Sequence, residues 1–242
     1  MCTVLYIPNA KGKYFASLRD ESPLRITSPK PIINKMGAIQ YISPIDLLTG
    51  GTWAGVNEIG NVIILLNGGF KKHDRNSFYQ KSRGLIVTEL LKAEMPVIDW
   101  ELMDMKEIEP YTLVVYSNEK LFELVWDGKE KHRLLLDETM PHMFSSSTLY
   151  NSAAKQNRID IFQNWIFKKP TISKISVLEF FKTYTDKYDG FIMNRSELVK
   201  TLSYSFIELE EQSTAKFYYY DFINFKQTTQ TISLKICKNN CS

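Results

Sequence analysis

Met1-Cys2-Thr3-Val4-Leu5-Tyr6-Ile7-Pro8-Asn9-Ala10-Lys11-Gly12-Lys13-Tyr14-Phe15-Ala16-Ser17-Leu18-Arg19-Asp20-Glu21 is the stretch on which the reading of this chain turns. Residues 3–7 and 14–18 are β-type runs on either side of Asn9-Ala10-Lys11-Gly12, so an antiparallel hairpin is predicted. In a hairpin the end of the second strand lies beside the start of the first, which brings Arg19 and Asp20 toward Cys2. Methionine before a small residue is the arrangement from which the initiator is trimmed. Without Met1, Cys2 would carry a thiol and a free α-amine on one residue. The thiol titrates near pH ~8.5 and the amine near ~7.7–8.0, which pairs a weak nucleophile with a base suited to neutral pH. A guanidinium near the sulfur favours thiolate, and a carboxylate near the amine orients it and stabilises its protonated form. The same residues also suit a small buried cysteine and a surface charge cluster, because Asp-Glu-Ser-Pro is good turn composition.

The rest of the composition narrows the class. With 242 residues, 44% hydrophobic and 24% charged, the chain reads as a soluble globular protein with a substantial core. No repeat, low-complexity linker or composition shift divides it, so residues 1–242 are read as one domain. A net charge of +3 is too small to argue for nucleic acid or a membrane surface. The basic cluster Lys71-Lys72-His73-Asp74-Arg75 is short and diluted, and no nucleic-acid partner is expected. Besides Cys2 there are only Cys237 and Cys241, an odd count without framework spacing, which suggests a reducing compartment or no dependence on disulfides. No run approaches the ~18 apolar residues of a membrane span. Asn9, Lys11 and Lys13 interrupt the first apolar stretch too early for a signal peptide, and a cytoplasmic location is expected. His73, His132 and His142 are far apart, with no His-Glu-x-x-His or Cys-x-x-Cys, so neither a metal nor another cofactor is expected.

Further strands are predicted at residues 39–42, 53–57 and 62–66. Leu85, Ile86, Leu90 and Leu91 then recur at helical spacing, and a second helix over 100–105 follows Pro96. Strands return at 112–117, 121–126 and 133–136. A second helical pair covers 153–167 and 176–188, and strands at 200–208, 216–224 and 229–235 end the chain. Strands, two helices, strands, two helices, strands, without evident parallel crossovers, predict an α+β fold: a four-layer α-β-β-α sandwich of two mostly antiparallel sheets.

Three further stretches bear on chemistry. Gly50-Gly51-Thr52-Trp53-Ala54-Gly55 suggests close backbone approach around a large ring, with Trp53 as core or pocket wall. Asn67-Gly68-Gly69 follows a hydrophobic strand, and a side-chain amide beside glycine backbone can supply oxyanion donors. Asn-Gly is equally the commonest tight-turn dipeptide. Ser82-Arg83-Gly84 reads as a serine N-cap and first helical turn.

Taken together and in this order, Met1-Cys2, Leu18-Arg19-Asp20-Glu21, Gly50 to Gly55, Asn67 and Arg83-Gly84 resemble the NRDE family, to which the transport and Golgi organisation protein belongs. The match covers about the first third of the chain. That family in turn is similar to the N-terminal-nucleophile cysteine hydrolases, amidases that share the α-β-β-α sandwich. The resemblance implies Cys2 as nucleophile and, through its amine, base, with Arg19 and Asp20 tuning it and Asn67 stabilising the oxyanion. It also implies a substrate site including Trp53, Gly68 and a late arginine, for which Arg158 is the candidate alongside the polar residues Ser145 to Ser147 and Asn151. One departure stands out: the first letter of the family motif is Asn, and here it is Leu18.

Two functions follow as expectations. One is a cysteine hydrolase cleaving the C–N amide bond of a small acylated substrate. The other is a non-catalytic binding or trafficking protein on the same scaffold, handling a lipid-like ligand, acyl-coenzyme A or haem. Neither fixes the oligomeric state.

Overall fold

The computed structural model describes residues 2–35, 37–74, 76–169, 171–184, 190–195, 198–210 and 213–235, and for Cys2 it describes the backbone. Met1, Cys237, Cys241 and residues 185–188 of the expected fourth helix lie outside these.

The opening stretch forms the expected hairpin. β1 (Cys2–Asn9) and β2 (Gly12–Glu21) pair antiparallel, with Gly12 opposite Asn9 and Arg19 opposite Cys2. Both hairpin strands then acquire partners from far along the chain. β10 (His142–Ser145) lies along β1, and β12 (Val199–Glu210) lies along β2. β13 (Thr214–Asp221) and β14 (Lys226–Ser233) continue outward, while the two-residue β11 (Asn194–Arg195) pairs with the start of β12. The second sheet is a meander in chain order. Its strands are β3 (Ile32–Asn34), β4 (Tyr41–Ser43), β5 (Ala54–Asn57), β6 (Val62–Asn67), β7 (Tyr111–Ser117), β8 (Lys120–Trp126) and β9 (Lys131–Leu136). Each of these strand pairings is antiparallel.

Period-two alternation places the layers. Val4, Tyr6 and Phe15 face the second sheet, joining Ile207, Phe217 and Tyr219 in the core between the sheets. Leu5, Ile7, Ala16 and Leu18 face the other way, against Phe162 of α3 (Ser152–Lys168) and Val177, Phe180 and Phe181 of α4 (Lys174–Thr183). In α4 the last three recur at i, i+3 and i+4, the spacing of one buried helical stripe. α1 (Arg83–Leu91) and α2 (Pro96–Leu102) cover the second sheet through Ile86, Val87, Leu90, Leu91, Val97 and Trp100. β7, buried along its whole length, reads as a continuous apolar run because both its faces are covered. The result is the expected α-β-β-α sandwich.

Local expectations needed correction. α2 begins at Pro96 and ends at Leu102, whereas residues 100–105 were expected. Proline lacks an N–H that the first helical turn would leave unpaired anyway, so it opens a helix as readily as it ends one. Ser82 occupies the N-cap of α1 without a side-chain capping bond. β10 was not anticipated: its four residues are all half-buried, so His-Met-Phe-Ser shows no alternation.

Candidate active site

The hairpin register sets the first distance constraint: the Cα of Cys2 lies opposite that of Arg19, at the end of the sheet. Along β12 the ladder shifts register between Thr201 and Ser203, so Asp20 pairs with Thr201 and Arg19 with Ser203. Such a bulge bends a strand and re-aims side chains. Here Thr201 Oγ1 donates to Asp20 Oδ1 at 2.6 Å.

Successive residues of a strand point to opposite faces, and this divides the candidates. Arg19 turns into the space between the sheets. Its guanidinium sits 2.9 Å from Asp46 Oδ2 and 4.4 Å from the centre of the Trp53 ring. Asp46 also takes the guanidinium of Arg25 at 2.6 Å. These groups wall a cavity of about 380 Å³. Arg19, Trp53 and Asn67 all line it, together with Glu21, Arg25, Asp46, Arg83 and Glu109. Arg83 is held by Glu109 at 3.2 Å and by the Pro110 carbonyl at 3.2 Å. Asn67 ends β6, and its backbone carbonyl accepts from Ser146 Oγ at 2.7 Å. Among the described residues its side-chain amide has no hydrogen-bond partner, so it is available to a ligand oxygen.

Asp20 faces the helix layer instead. It is fully buried, and Oδ2 has no hydrogen-bond partner among the described residues. Burial pushes its carboxyl up to about 6, against the opposing influence of the Thr201 hydroxyl and the positive charges of Arg158 and Arg195. Arg158 lies on that same side. The late-arginine candidate is completely buried. Its guanidinium donates to Thr3 Oγ1, to the Gly190 carbonyl at 2.9 Å and, through Nε, to Ser145 Oγ at 3.4 Å. The rings of Tyr150 and Phe191 enclose it at 4.1 and 4.4 Å. Arg158 therefore braces the start of β1 from behind and is absent from the cavity lining.

Gly68 also departs from expectation. Its N–H is given to the Pro110 carbonyl at 3.0 Å and its own carbonyl accepts from Thr112 Oγ1 at 3.0 Å, so it is not a free oxyanion donor. Its φ of +85°, with Ser147 Oγ 2.3 Å from where a Cβ would stand, explains why glycine follows Asn67. The paired glycines before Trp53 have a different cause from the ring alone. A Cβ on Gly51 would lie 2.5 Å from the backbone carbon of Gly84, and Thr52 N–H donates to the Gly84 carbonyl at 3.1 Å. Two stretches that seemed separate in the sequence are one backbone contact on the cavity wall.

Asp46 and Thr201 were missed by sequence reasoning. Asp46 carried only a turn signature, which it also fulfils: Oδ1 accepts from the N–H groups of Leu48 and Thr49 at 3.1 and 3.2 Å. Thr201 gave no signal at all. Of the candidates in the 145–151 region, Asn151 caps α3 by accepting from Ala154 N–H at 2.8 Å. The histidines stay apart in separate local contacts, His73 with Glu109, His132 with Asp127 and His142 with the Asp137 carbonyl.

No curated protein sequence matches the chain. Solved structures do. Conjugated bile acid hydrolase from Clostridium perfringens superposes with a TM-score of 0.61 at 11% identity, covering 97% of each chain. The Caenorhabditis elegans ortholog of N-acylethanolamine-hydrolyzing acid amidase gives 0.58 at 14% identity, over 85% of this chain and 92% of its own. Penicillin V acylase from Agrobacterium tumefaciens gives 0.53 at 8% identity, over 96% and 86%. At these identities the likeness is one of fold: the two-sheet sandwich is shared with these proteins. Residues 1–214, nearly the whole sandwich, match the model of a single family, and the chain belongs to that family, Transport and Golgi organisation 2.

Proposed function

We propose that this protein is an N-terminal-nucleophile-type cysteine hydrolase that cleaves the C–N amide bond of a small acylated substrate, with Cys2 as nucleophile once Met1 is removed. One observation carries the reading: Cys2 stands opposite Arg19, and Arg19 shares a cavity with Asn67. The Cys2 sulfur would bond to the amide carbonyl carbon, and the oxyanion would accept from the Asn67 side chain. As the C–N bond breaks, the proton taken up by the Cys2 α-amine passes to the leaving nitrogen. Water, deprotonated by the same amine, then adds to the thioester, releasing the acid and restoring the thiol. Arg19 supplies positive charge beside the nucleophile, and Asp20 supports the amine. Trp53 gives the cavity an apolar wall. Gly68 and Arg158 are assigned structural support in place of substrate contact.

The NRDE motif is read at residues 18–21 with Leu in the first place. Leu18 is buried in the apolar layer beneath α4, so that position serves packing here. We take residues 1–242 as one domain, acting in the cytoplasm. A second reading, ligand binding without turnover, draws on the ion pair that holds Arg19 to Asp46. In that case the same cavity would take a lipid-like ligand, acyl-coenzyme A or haem.

The test is mass spectrometry of the native protein combined with hydrolysis of N-acyl amides by the wild type and by Cys2→Ala. The expected result is loss of Met1, a thioester adduct on Cys2 and no turnover in the variant. Quantitative retention of Met1 would sink the mechanism, because the amine would be blocked. Equal turnover by Cys2→Ala would do the same.

A further inference from the structure

We propose that a second cavity, apart from the Arg19 cavity, binds a free α-amino acid with an apolar side chain, its ammonium taken by Glu123 and its carboxylate by Lys155. The cavity measures about 280 Å³ and shares no lining residue with the first, so the proposal does not rest on the amidase reading. Besides Glu123 and Lys155 it is lined by Leu66 and Val125 of the second sheet, by Met143 and Phe144 of β10, and by Ile159 of α3. Both charged residues stand where the periodicity of the fold calls for an apolar one. On β8, Leu121 and Val125 flank Glu123 on its own face, and Val114 of β7 and Leu134 of β9 lie directly across from it. That face packs on the first sheet, since Tyr116, opposite Leu121, stacks on Tyr6. On α3, Lys155 falls in register with Arg158, Ile159 and Phe162, at the i, i+3, i+4, i+7 spacing of the stripe that buries Arg158 and Phe162.

A carboxylate or ammonium drawn out of water needs a partner. Among the described residues neither the Glu123 carboxylate nor the Lys155 ammonium makes a hydrogen bond or ion pair, with each other or with any third group. They act on each other only through space. Burial pushes the Glu123 carboxyl up against the opposing charges of Lys155 and His142, and pushes the Lys155 ammonium down against that of Glu123. Opposite charges that line one cavity without touching suit a ligand that carries both and fits between them. An α-amino acid holds an ammonium and a carboxylate on one carbon, and its side chain would rest on Leu66, Val125, Phe144 and Ile159. The volume lies just below the ~300–1,000 Å³ of sites for drug-sized ligands, which suits a compact molecule and not a long acyl chain. β10 is also the edge strand of its sheet, and alternate residues of such an edge keep N–H and C=O groups that β1 does not pair. These supply main-chain donors and acceptors for the same two ligand groups.

The experiment is isothermal titration calorimetry of the full chain with L-leucine, with N-acetyl-L-leucine, which lacks the ammonium, and with L-leucinamide, which lacks the carboxylate. L-Leucine is expected to bind saturably, and each analogue at least about tenfold more weakly, the worth of one charge-assisted contact. Glu123→Gln should weaken leucine about tenfold and erase its advantage over N-acetyl-L-leucine while keeping that over L-leucinamide. Lys155→Met should do the reverse. The analogue series on the wild type decides the matter even where a variant fails to fold. A wild type without saturable leucine binding overturns the proposal, as does binding that neither substitution weakens. Analogues that bind as tightly as leucine would show that the cavity reads only an apolar side chain, and would overturn the zwitterion assignment. Variants that melt above a wild type that takes up no amino acid would show Glu123 and Lys155 joined only through water, and would also overturn it.

Discussion

Arg19 and Asp46 form a buried ion pair across the two sheets, with Nη2 2.9 Å from Oδ2 and both side chains almost without solvent contact. Arg19 comes from the hairpin strand β2, and Asp46 from the loop between β4 and β5 of the other sheet. The pair therefore closes the sandwich at the cavity end, where the Trp53 ring lies against the same guanidinium.

Removing one partner of a desolvated pair leaves the other charge stranded. Asp46→Ala is expected to cost about 3–5 kcal/mol, read as a lower urea midpoint at unchanged slope. Asp46→Asn keeps an oxygen for the Leu48 and Thr49 N–H groups and should cost less. A loss below about 1 kcal/mol for the alanine variant, the range of surface pairs, would mean that the pair is hydrated in solution.

Arg158 gives a second stability prediction, coupled to a titration. Arg158→Met keeps the bulk between Tyr150 and Phe191 but leaves the Gly190 carbonyl and the Thr3 hydroxyl without this donor. The expected cost is about 3 kcal/mol for loss of a buried charged donor. Arg158 is also one of the positive charges that hold the Asp20 carboxyl down against burial. In the variant that carboxyl should titrate above the wild-type value of about 6, as followed by carbon NMR. An unmoved titration would remove Arg158 from the electrostatics of the site.

The pH dependence of Asp20 follows from its raised pKa. Between the ordinary value of 3.8 and about 6 the folded protein holds a proton that the unfolded chain has lost. This group therefore favours folding at the acid end of that window, and the contribution fades as pH rises through it. Above pH 6 the buried carboxylate costs about 3 kcal/mol relative to the protonated form. Asp20→Asn removes the titration. Its stability relative to wild type should climb between pH 4 and 7, measured by urea unfolding at each pH. A difference that stays flat across the window would refute the assignment.

How much of this was legible in the sequence depends on the range of the interaction. The hairpin was legible because its register is local: Asn9 to Gly12 fixes the turn, and alternation does the rest. Leu85 to Leu91 and the run through β6 were legible for the same reason. The partners of Asp20 and Arg19 were not. Thr201 reaches Asp20 only because β12 inserts beside β2 with a bulge, and no property of a lone threonine signals that. Arg158 was legible only as a site candidate through the family resemblance, since its polar neighbours Asn157 and Gln156 gave no hint that its own face turns toward Thr3. Gly68 looked like a donor because Asn-Gly names a turn without saying where its N–H groups go. In each case the deciding partner came from far along the chain.

The contact between Gly51 and Gly84 is the most demanding of these long-range pairings. An alanine at 51 would place its Cβ 2.5 Å from the Gly84 carbonyl carbon and 2.7 Å from the Leu85 nitrogen, both backbone atoms at the start of α1. Backbone cannot step aside as a rotamer does, so α1 would have to shift away from β5 and draw the cavity wall with it. At Gly55 the nearest obstacle to a Cβ is the end of the flexible Leu91 side chain, at 2.4 Å, although the Ile42 carbonyl lies at 3.0 Å. Gly51→Ala should therefore lose about 3 kcal/mol, the upper end for overpacking, and Gly55→Ala about 1–2 kcal/mol. Thermal unfolding of the two variants side by side checks the order. If Gly51→Ala melts with the wild type, the two backbones do not touch in solution, and the pairing of these stretches on the cavity wall must be abandoned.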